Sequence, residues 1–268
     1  MYGISLSYSQ PLLRPLKLIA GVLCLSVLVA CARPDPALTM SGPYDPNEAT
    51  NRKFHRFNKA LDRNLVRPAG KGYVDILPDD IETAVGRFAF NLSIPSAVVN
   101  NILQGNMKGA IQDTSRFVVN STIGLGGLFD PATELNMPAG TDADFGQTLY
   151  VWGVPEGPYI ELPILGPATH RRAVGKVVDI FTNPITYVLE KPLNYISTAT
   201  ALAARLGERG RYSNTVDQIL YESADGYAQA QSLYYQNRRF KLGSKSNDAY
   251  IDPYDDLASD PYEALNDE

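Results

Sequence analysis

Cysteine, histidine and tryptophan are all scarce in this chain: two, two and one among 268 residues. With only Cys24 and Cys31, neither a disulfide framework nor a four-ligand zinc site can be built from thiols. His55 lies in a basic segment and His170 beside Arg171, both settings typical of surface residues. Neither belongs to a Ser/His/Asp, Cys/His or His-Glu metal pattern, so no catalytic set, metal or cofactor is expected. An uninterrupted apolar stretch of about 20 residues, long enough to span a bilayer, is also missing. So is a basic excess: the formal charge is −5, which argues against a nucleic-acid partner. Gly124-Leu125-Gly126-Gly127 lacks the downstream Gly-Lys-Ser/Thr of a phosphate loop and reads as a hinge or tight turn into Asp130-Pro131-Ala132. Paired carboxylates (Asp79 with Asp80, Asp142 with Asp144) keep one enzymatic reading open, a periplasmic hydrolase of envelope polymers.

The chain begins like an exported protein. Arg14 and Lys17 precede an uncharged apolar run from Leu18 to Val29, which ends in Leu28-Val29-Ala30-Cys31. That ending has the form of a lipobox, so Cys31 is expected to be the diacylated mature N-terminus, with no aspartate immediately after it. The alternative is an ordinary signal peptide cut nearby, with Cys31 incidental. Loss of residues 1–30 would shift the formal charge from −5 to −7. Residues 242–268 account for all of that surplus, with eight acidic side chains against Lys245, and leave a balanced body. The expected organisation is therefore a signal peptide (1–30), a lipidated linker (31–44), one body (45–241) and an acidic disordered tail (242–268).

Within the body the spacing is helical. Asp45 and Pro46 suit a helix start, with Glu48 three residues after the cap. Phe54, Phe57, Leu61 and Leu65 then make one apolar face, and Asn58 sits inside it. Asn58 is either a satisfied core amide or part of a polar wall along a lipid path. Arg67-Pro68 reads as the end of this helix. Pro78 opens the next, with Ile81, Val85, Phe88 and Leu92 as its buried side, and Pro95 separates it from a shorter helix through Leu103. Met107, Ile111, Thr114, Val118 and Ser121 line a further stripe. Later come a helix with Val174, Val177, Val178 and Phe181, another opened by Pro192, and a last one from Asp225 to Phe240. The short helices are greasier than a water-soluble bundle requires, which suggests contact with membrane as well as core.

Between the two helical halves, residues 144–167 hold four glycines and four prolines among Phe145, Tyr150, Trp152 and Tyr159. No long helix can run through such punctuation. Either a fixed, tightly turned loop with a greasy surface or two short strands and their turn would satisfy it.

The same region carries a resemblance. Asp142-Ala143-Asp144-Phe145-Gly146-Gln147-Thr148-Leu149, Trp152-Gly153-Val154, Gly157-Pro158-Tyr159 and Leu162-Pro163 resemble the signature of the MlaA (VacJ) outer-membrane lipoproteins. So do Asp45-Pro46-Asn47-Glu48, Val99-Asn100-Asn101, Arg116-Phe117, Asn120-Ser121-Thr122-Ile123-Gly124 and Asp130-Pro131-Ala132, in the same order over roughly residues 40–240. The resemblance implies a mainly α fold, a ring-like assembly of short amphipathic helices with a Gly/Pro/aromatic loop region. It implies non-catalytic removal of phospholipid misplaced in the outer leaflet of the outer membrane. Expected partners are phospholipid, the outer membrane's inner leaflet, a trimeric porin and a soluble periplasmic lipid carrier. Phe57, Asn58, Asn120, Gly124, Gly126, Asp130, Phe145, Trp152 and Tyr159 are the candidate lipid path or channel rim. A lipoprotein that scaffolds porins or surface assembly without moving lipid is the competing reading.

Overall fold

The computed structural model describes residues 44–243. The leader, Cys31, the linker before Tyr44 and the tail beyond Gly243 lie outside the described residues. In chain order, α1 (Glu48–Leu61) runs through a five-residue π-turn, Asp62–Val66, into α2 (Arg67–Ile76). Next come α3 (Asp79–Leu103), α4 (Met107–Thr122), a 3₁₀ turn at Leu125–Gly127, α5 (Pro131–Glu134) and α6 (Phe145–Val151). A hairpin of β1 (Tyr159–Leu162) and β2 (Gly166–Thr169) follows, antiparallel, with Tyr159 opposite Thr169. The chain closes with α7 (His170–Thr182), α8 (Ile185–Val188), α9 (Ile196–Arg211), α10 (Ser213–Asp217), a second π-turn at Gln218–Glu222 and α11 (Gly226–Lys241). The fold is mainly α.

The elements pack as a closed circuit. α2 lies on α9, α9 on α3, α3 on α6, α6 on α7, α7 on the hairpin, and β1 on α1, which returns to α2 through the π-turn. α4 rides on α3. At the α2–α9 crossing the backbones nearly touch, because a Cβ on Gly210 would collide with the carbonyl of Gly70. Only glycine permits that approach.

Two expected helix breaks are absent. Pro68 does not end a helix: the π-turn at Asp62–Val66 widens the coil just upstream, and Pro68 sits in the first turn of α2, where a missing N–H costs little. Pro95 lies inside α3, which runs 25 residues without stopping. An interior proline costs about 3 kcal/mol, and packing of α3 against both α4 and α9 outweighs it. The start of α1 also differs. The residue at the cap position is Asn47, with no side-chain cap bond, while Asp45 binds Asn51, Tyr227 and Gln231.

The apolar stripes exist but mostly face outward. Phe54, Phe57 and Leu65 are exposed, and α1 instead buries Asn51 and His55. His55 is thus no surface residue: its ring stands edge-on to Tyr227, and its Nδ1 is 3.6 Å from Glu161. Ile81 is exposed where a buried side was expected, and α3 buries Asn91, Asn100 and Asn101 alongside Ala89, Ile94 and Ala97. Met107, Ile111 and Val118 of α4 are exposed too, whereas Asp113, Arg116 and Asn120 are buried. The apolar core proper is small and aromatic: Tyr159 and Tyr227 with ring centroids 5.8 Å apart, Tyr235, and Tyr234 beside them. No helix among the described residues is long and apolar enough to cross a membrane.

Candidate functional site

Three polar clusters of the interior hold the candidate residues. In the first, α4 presents Arg116 and Asn120 to the turn that follows it. Arg116 donates to both carboxylate oxygens of Asp130 (2.9 and 3.1 Å), to Thr133 and to the carbonyls of Met137 and Pro138. Asn120 donates to Asp130 at 2.9 Å and accepts from the Ala132 N–H. Burial works against the Asp130 charge, yet the bonds from Thr133 and Asn120 and the charge of Arg116 hold its pKa below the ordinary value. Gly124 has no room for a Cβ beside the carbonyls of Asn120 and Phe129, and Gly126 has φ 77°. The turn is therefore rigid. It walls a cavity of about 220 Å³ lined by Arg87, Ile123, Phe129, Asp130, Pro131 and Glu134.

The second cluster holds α6. Asp144 caps that helix in a reciprocal capping box with Gln147, and its carboxylate also receives Arg238 of α11 (2.6 and 3.0 Å). Burial opposes the Asp144 charge, but Arg238 and Arg172 together hold its pKa below the usual range. Asp179 accepts from the Phe145 N–H and from Arg172, and burial still raises its pKa. Phe145 is buried with its ring edge-on to Trp152 at 5.8 Å, while Trp152 is half exposed and donates Nε1–H to the Leu103 carbonyl at 3.0 Å.

The third cluster joins α1 to the hairpin. Asn58 donates to Glu161 (3.0 Å) and to the Leu162 carbonyl (2.9 Å), and accepts from the Ile164 N–H (2.7 Å). It is a satisfied amide bracing the strand, the blander of its two expected roles. Tyr159 is fully buried and donates its hydroxyl to Glu161.

The candidate residues therefore fall into separate groups. Asn120, Gly124, Gly126 and Asp130 meet at one turn, Phe145 and Trp152 stand at the two ends of α6, and Asn58 and Tyr159 meet through Glu161. Phe57 stands apart, exposed. The Gly/Pro/aromatic stretch is part helix and part hairpin: its first half forms α6, and its second half is the two strands and turn. Tyr159, one of its aromatics, is core and not surface.

Sequence reasoning passed over Arg238, Lys176 and Arg205. The half-buried Lys176 ammonium of α7 donates to the carbonyls of Leu165 (2.9 Å) and Pro167 (3.3 Å). Burial, with Arg172 and Arg205 nearby, lowers its pKa to about 8. A lone cation in Ala173-Val174-Gly175-Lys176-Val177-Val178 was the available signal. His170 is half-buried with Nδ1 unpartnered, and burial lowers its pKa, so it too departs from the expected surface setting. No group of three or more metal-ligating side chains occurs among the described residues.

Comparison with known proteins agrees with this architecture. The chain is 33% identical over 205 residues to an uncharacterized protein of Rickettsia bellii, covering 76% of this chain and 79% of that one. It is 31% identical over 228 residues to the intermembrane phospholipid transport system lipoprotein MlaA of Escherichia coli, covering 84% and 88% respectively. A solved chain, from work on the structural basis for maintenance of bacterial outer membrane lipid asymmetry, superposes with TM-score 0.63 at 27% identity, over 74% of this chain and 98% of that one. The family model described as MlaA lipoprotein matches residues 43–241, which is nearly the whole of the described fold, and the chain belongs to that family.

Proposed function

We propose that this protein is a non-catalytic lipoprotein, anchored through Cys31 in the inner leaflet of the outer membrane. It takes phospholipid misplaced in the outer leaflet and hands it to a soluble periplasmic carrier, working beside a trimeric porin. The observation that carries this reading is inverted polarity on a closed circuit: exposed Phe57, Ile111, Val118 and Trp152 outside, and amides and ion pairs within. Large apolar side chains at this density are costly in water and neutral in hydrocarbon. A phospholipid changing leaflets needs a polar lane for its head while its tails stay in hydrocarbon, since an uncompensated charge in hydrocarbon is expensive. The rigid turn from Gly124 to Asp130 and the half-exposed Trp152 suit the rim of such a lane. Phe145, Asn58 and Tyr159 support it from behind.

The test is a deletion strain complemented with the wild-type chain or with Asp130→Asn, scored for outer-leaflet phospholipid and for sensitivity to detergent plus chelator. Restoration by the wild type, together with phospholipid bound to the purified protein, supports transport. Capture of porin without bound lipid and without restored asymmetry would favour the scaffold. Release of a cleaved envelope polymer by the purified chain would favour the hydrolase.

A further inference from the structure

Only one side of α1 is covered: Asn51 and Asn58 bond to the hairpin, and His55 meets Tyr227 of α11. Phe54, Phe57 and, within the π-turn, Leu65 are exposed on one part of the free arc. The rest is cationic. Lys53 and Arg56 are exposed, and Arg56, Lys59 and Arg63 follow one another at three- and four-residue spacing, which puts them on one stripe. Glu48 and Asp225 hold Arg52, Asp62 holds Arg209, and Asp217 holds both Arg67 and Arg209, so those carboxylates are engaged by other arginines. Lys53, Arg56, Lys59 and Arg63 have no carboxylate within ion-pair distance among the described residues. Lys59 and Arg63 stand instead over the Tyr221 ring, 5.2 and 4.9 Å from its centroid, and the Tyr221 hydroxyl is fixed by a bond to Asp62 at 2.8 Å. An aromatic face holds cations in place without cancelling their charge.

The place of this stripe in the chain indicates its partner. α1 is the first described helix after Cys31. A coil of the length between Cys31 and Glu48 spans about 20 Å, so an anchor at Cys31 keeps α1 close to the leaflet surface. A helix with one apolar and one cationic face lies in the plane of a membrane boundary, its apolar side among acyl chains and its long cationic side chains reaching the phosphates. Zwitterionic lipid gives that cationic face little net attraction, because each phosphate brings its own cation. Lipid of net negative charge supplies the counter-charge that the stripe lacks within the described fold.

We propose that the cationic stripe of α1, centred on Lys59, Arg63 and Tyr221, is a docking face for a phospholipid surface of net negative charge. This rests on the membrane-anchored reading above. The experiment takes the full chain from residue 31 with Cys31→Ser, so that acyl chains do not dominate the partition. It measures flotation with vesicles of phosphatidylcholine alone and of equimolar phosphatidylcholine and phosphatidylglycerol. This protein should favour the mixed vesicles, and added salt should shrink the preference, since exposed charges are screened. Arg56→Gln and Arg63→Gln should each weaken binding to the mixed vesicles about fivefold, the effect of one cation near an anionic lipid surface, with binding to phosphatidylcholine unmoved. Lys59→Gln should do the same, and the two exposed arginines decide the matter if that variant fails to fold. Phe54→Ser should weaken binding to both vesicles. Arg239→Gln, which removes an exposed cation over Tyr235 of α11, should change neither. Equal binding to the two vesicles, or an Arg239→Gln loss as large as that of Arg63→Gln, overturns this inference alone. A preference that emerges only on truncation after Gly243 assigns the face to the acidic tail and also overturns it. Binding to neither vesicle overturns the membrane-facing reading with it.

Discussion

The hairpin with α11 and the α3–α4 pair are built on opposite plans. Around the hairpin, Tyr159, Tyr227, Tyr234 and Tyr235 bury aromatic surface against one another, as a core formed in water does. Along α3 and α4 the buried residues include Asn91, Asn101, Asp113, Arg116 and Asn120 beside Ile94 and small alanines, and the large apolar residues Ile102, Met107, Ile111 and Val118 face out. The first region is held by the hydrophobic effect. The second is held largely by hydrogen bonds, although Asn91 Oδ1 and Arg116 Nε find no partner among the described residues, and such bonds matter most where the surroundings give no hydrophobic drive for association. A single chain thus uses both.

The strongest way to break the comparison is at the aromatic core. Tyr159→Ala removes a fully buried ring and should cost about 3–5 kcal/mol, as large aromatic truncations do. Chemical denaturation in mild detergent checks this, and a cost under about 1 kcal/mol would mean that the tyrosines are not a core. Next is the polar seam. Asn101 donates to Asp113 (2.8 Å) and Thr141 (2.7 Å) and accepts from Asn106, so Asn101→Leu strands those groups at about 1–3 kcal/mol although it adds apolar volume. If the leucine variant were more stable, the α3–α4 interior would be an ordinary core and the contrast would vanish. On the outer face, Ile111→Asn should change the same measurement by no more than about 0.5 kcal/mol. It should still reduce flotation of the protein with liposomes, because Ile111 is exposed. A large loss of stability with undiminished flotation would place Ile111 against protein and not lipid.

The smallest effect is a pH dependence. Burial depresses the His170 pKa, so the folded state resists its protonation. The unfolded chain takes up that proton near the ordinary pKa of about 6.5. Stability is therefore whole above that pH and is lost as pH falls below it. His170→Gln should flatten the midpoint-versus-pH curve between about pH 7 and 5, a range in which ordinary carboxylates stay ionised. An unchanged slope would show that His170 is solvated in solution.

Much of the helical layout was legible from spacing. The helix at 170–182, the one opened near Pro192 and the last from Asp225 are present, because their periodicity and their flanking Asn183-Pro184, Pro192 and Asp225 act within a few residues. Pro68 and Pro95 misled for the complementary reason. A proline's local cost is known from sequence, but the π-turn and the packing against α4 and α9 that absorb it are not. At the candidate site, Asp130 was visible beside a turn, and Asn120 only through the family resemblance. Arg238 on Asp144 joins positions 94 residues apart, and no local pattern announces such a pair.

By itself, then, the sequence determined which residues share a helix face, where most helices begin and end, and to which family the chain belongs. Periodicity sets a face, but it carries no information about the medium that face meets. Tertiary structure alone decided that the stripes of α1 and α4 turn outward while the amides of α1, α3 and α4 turn in. Closing the circuit forces that outcome. Once α9 and the hairpin have brought distant segments together, each buried charge must find its partner across the fold, and the apolar faces left over have only the surroundings to meet.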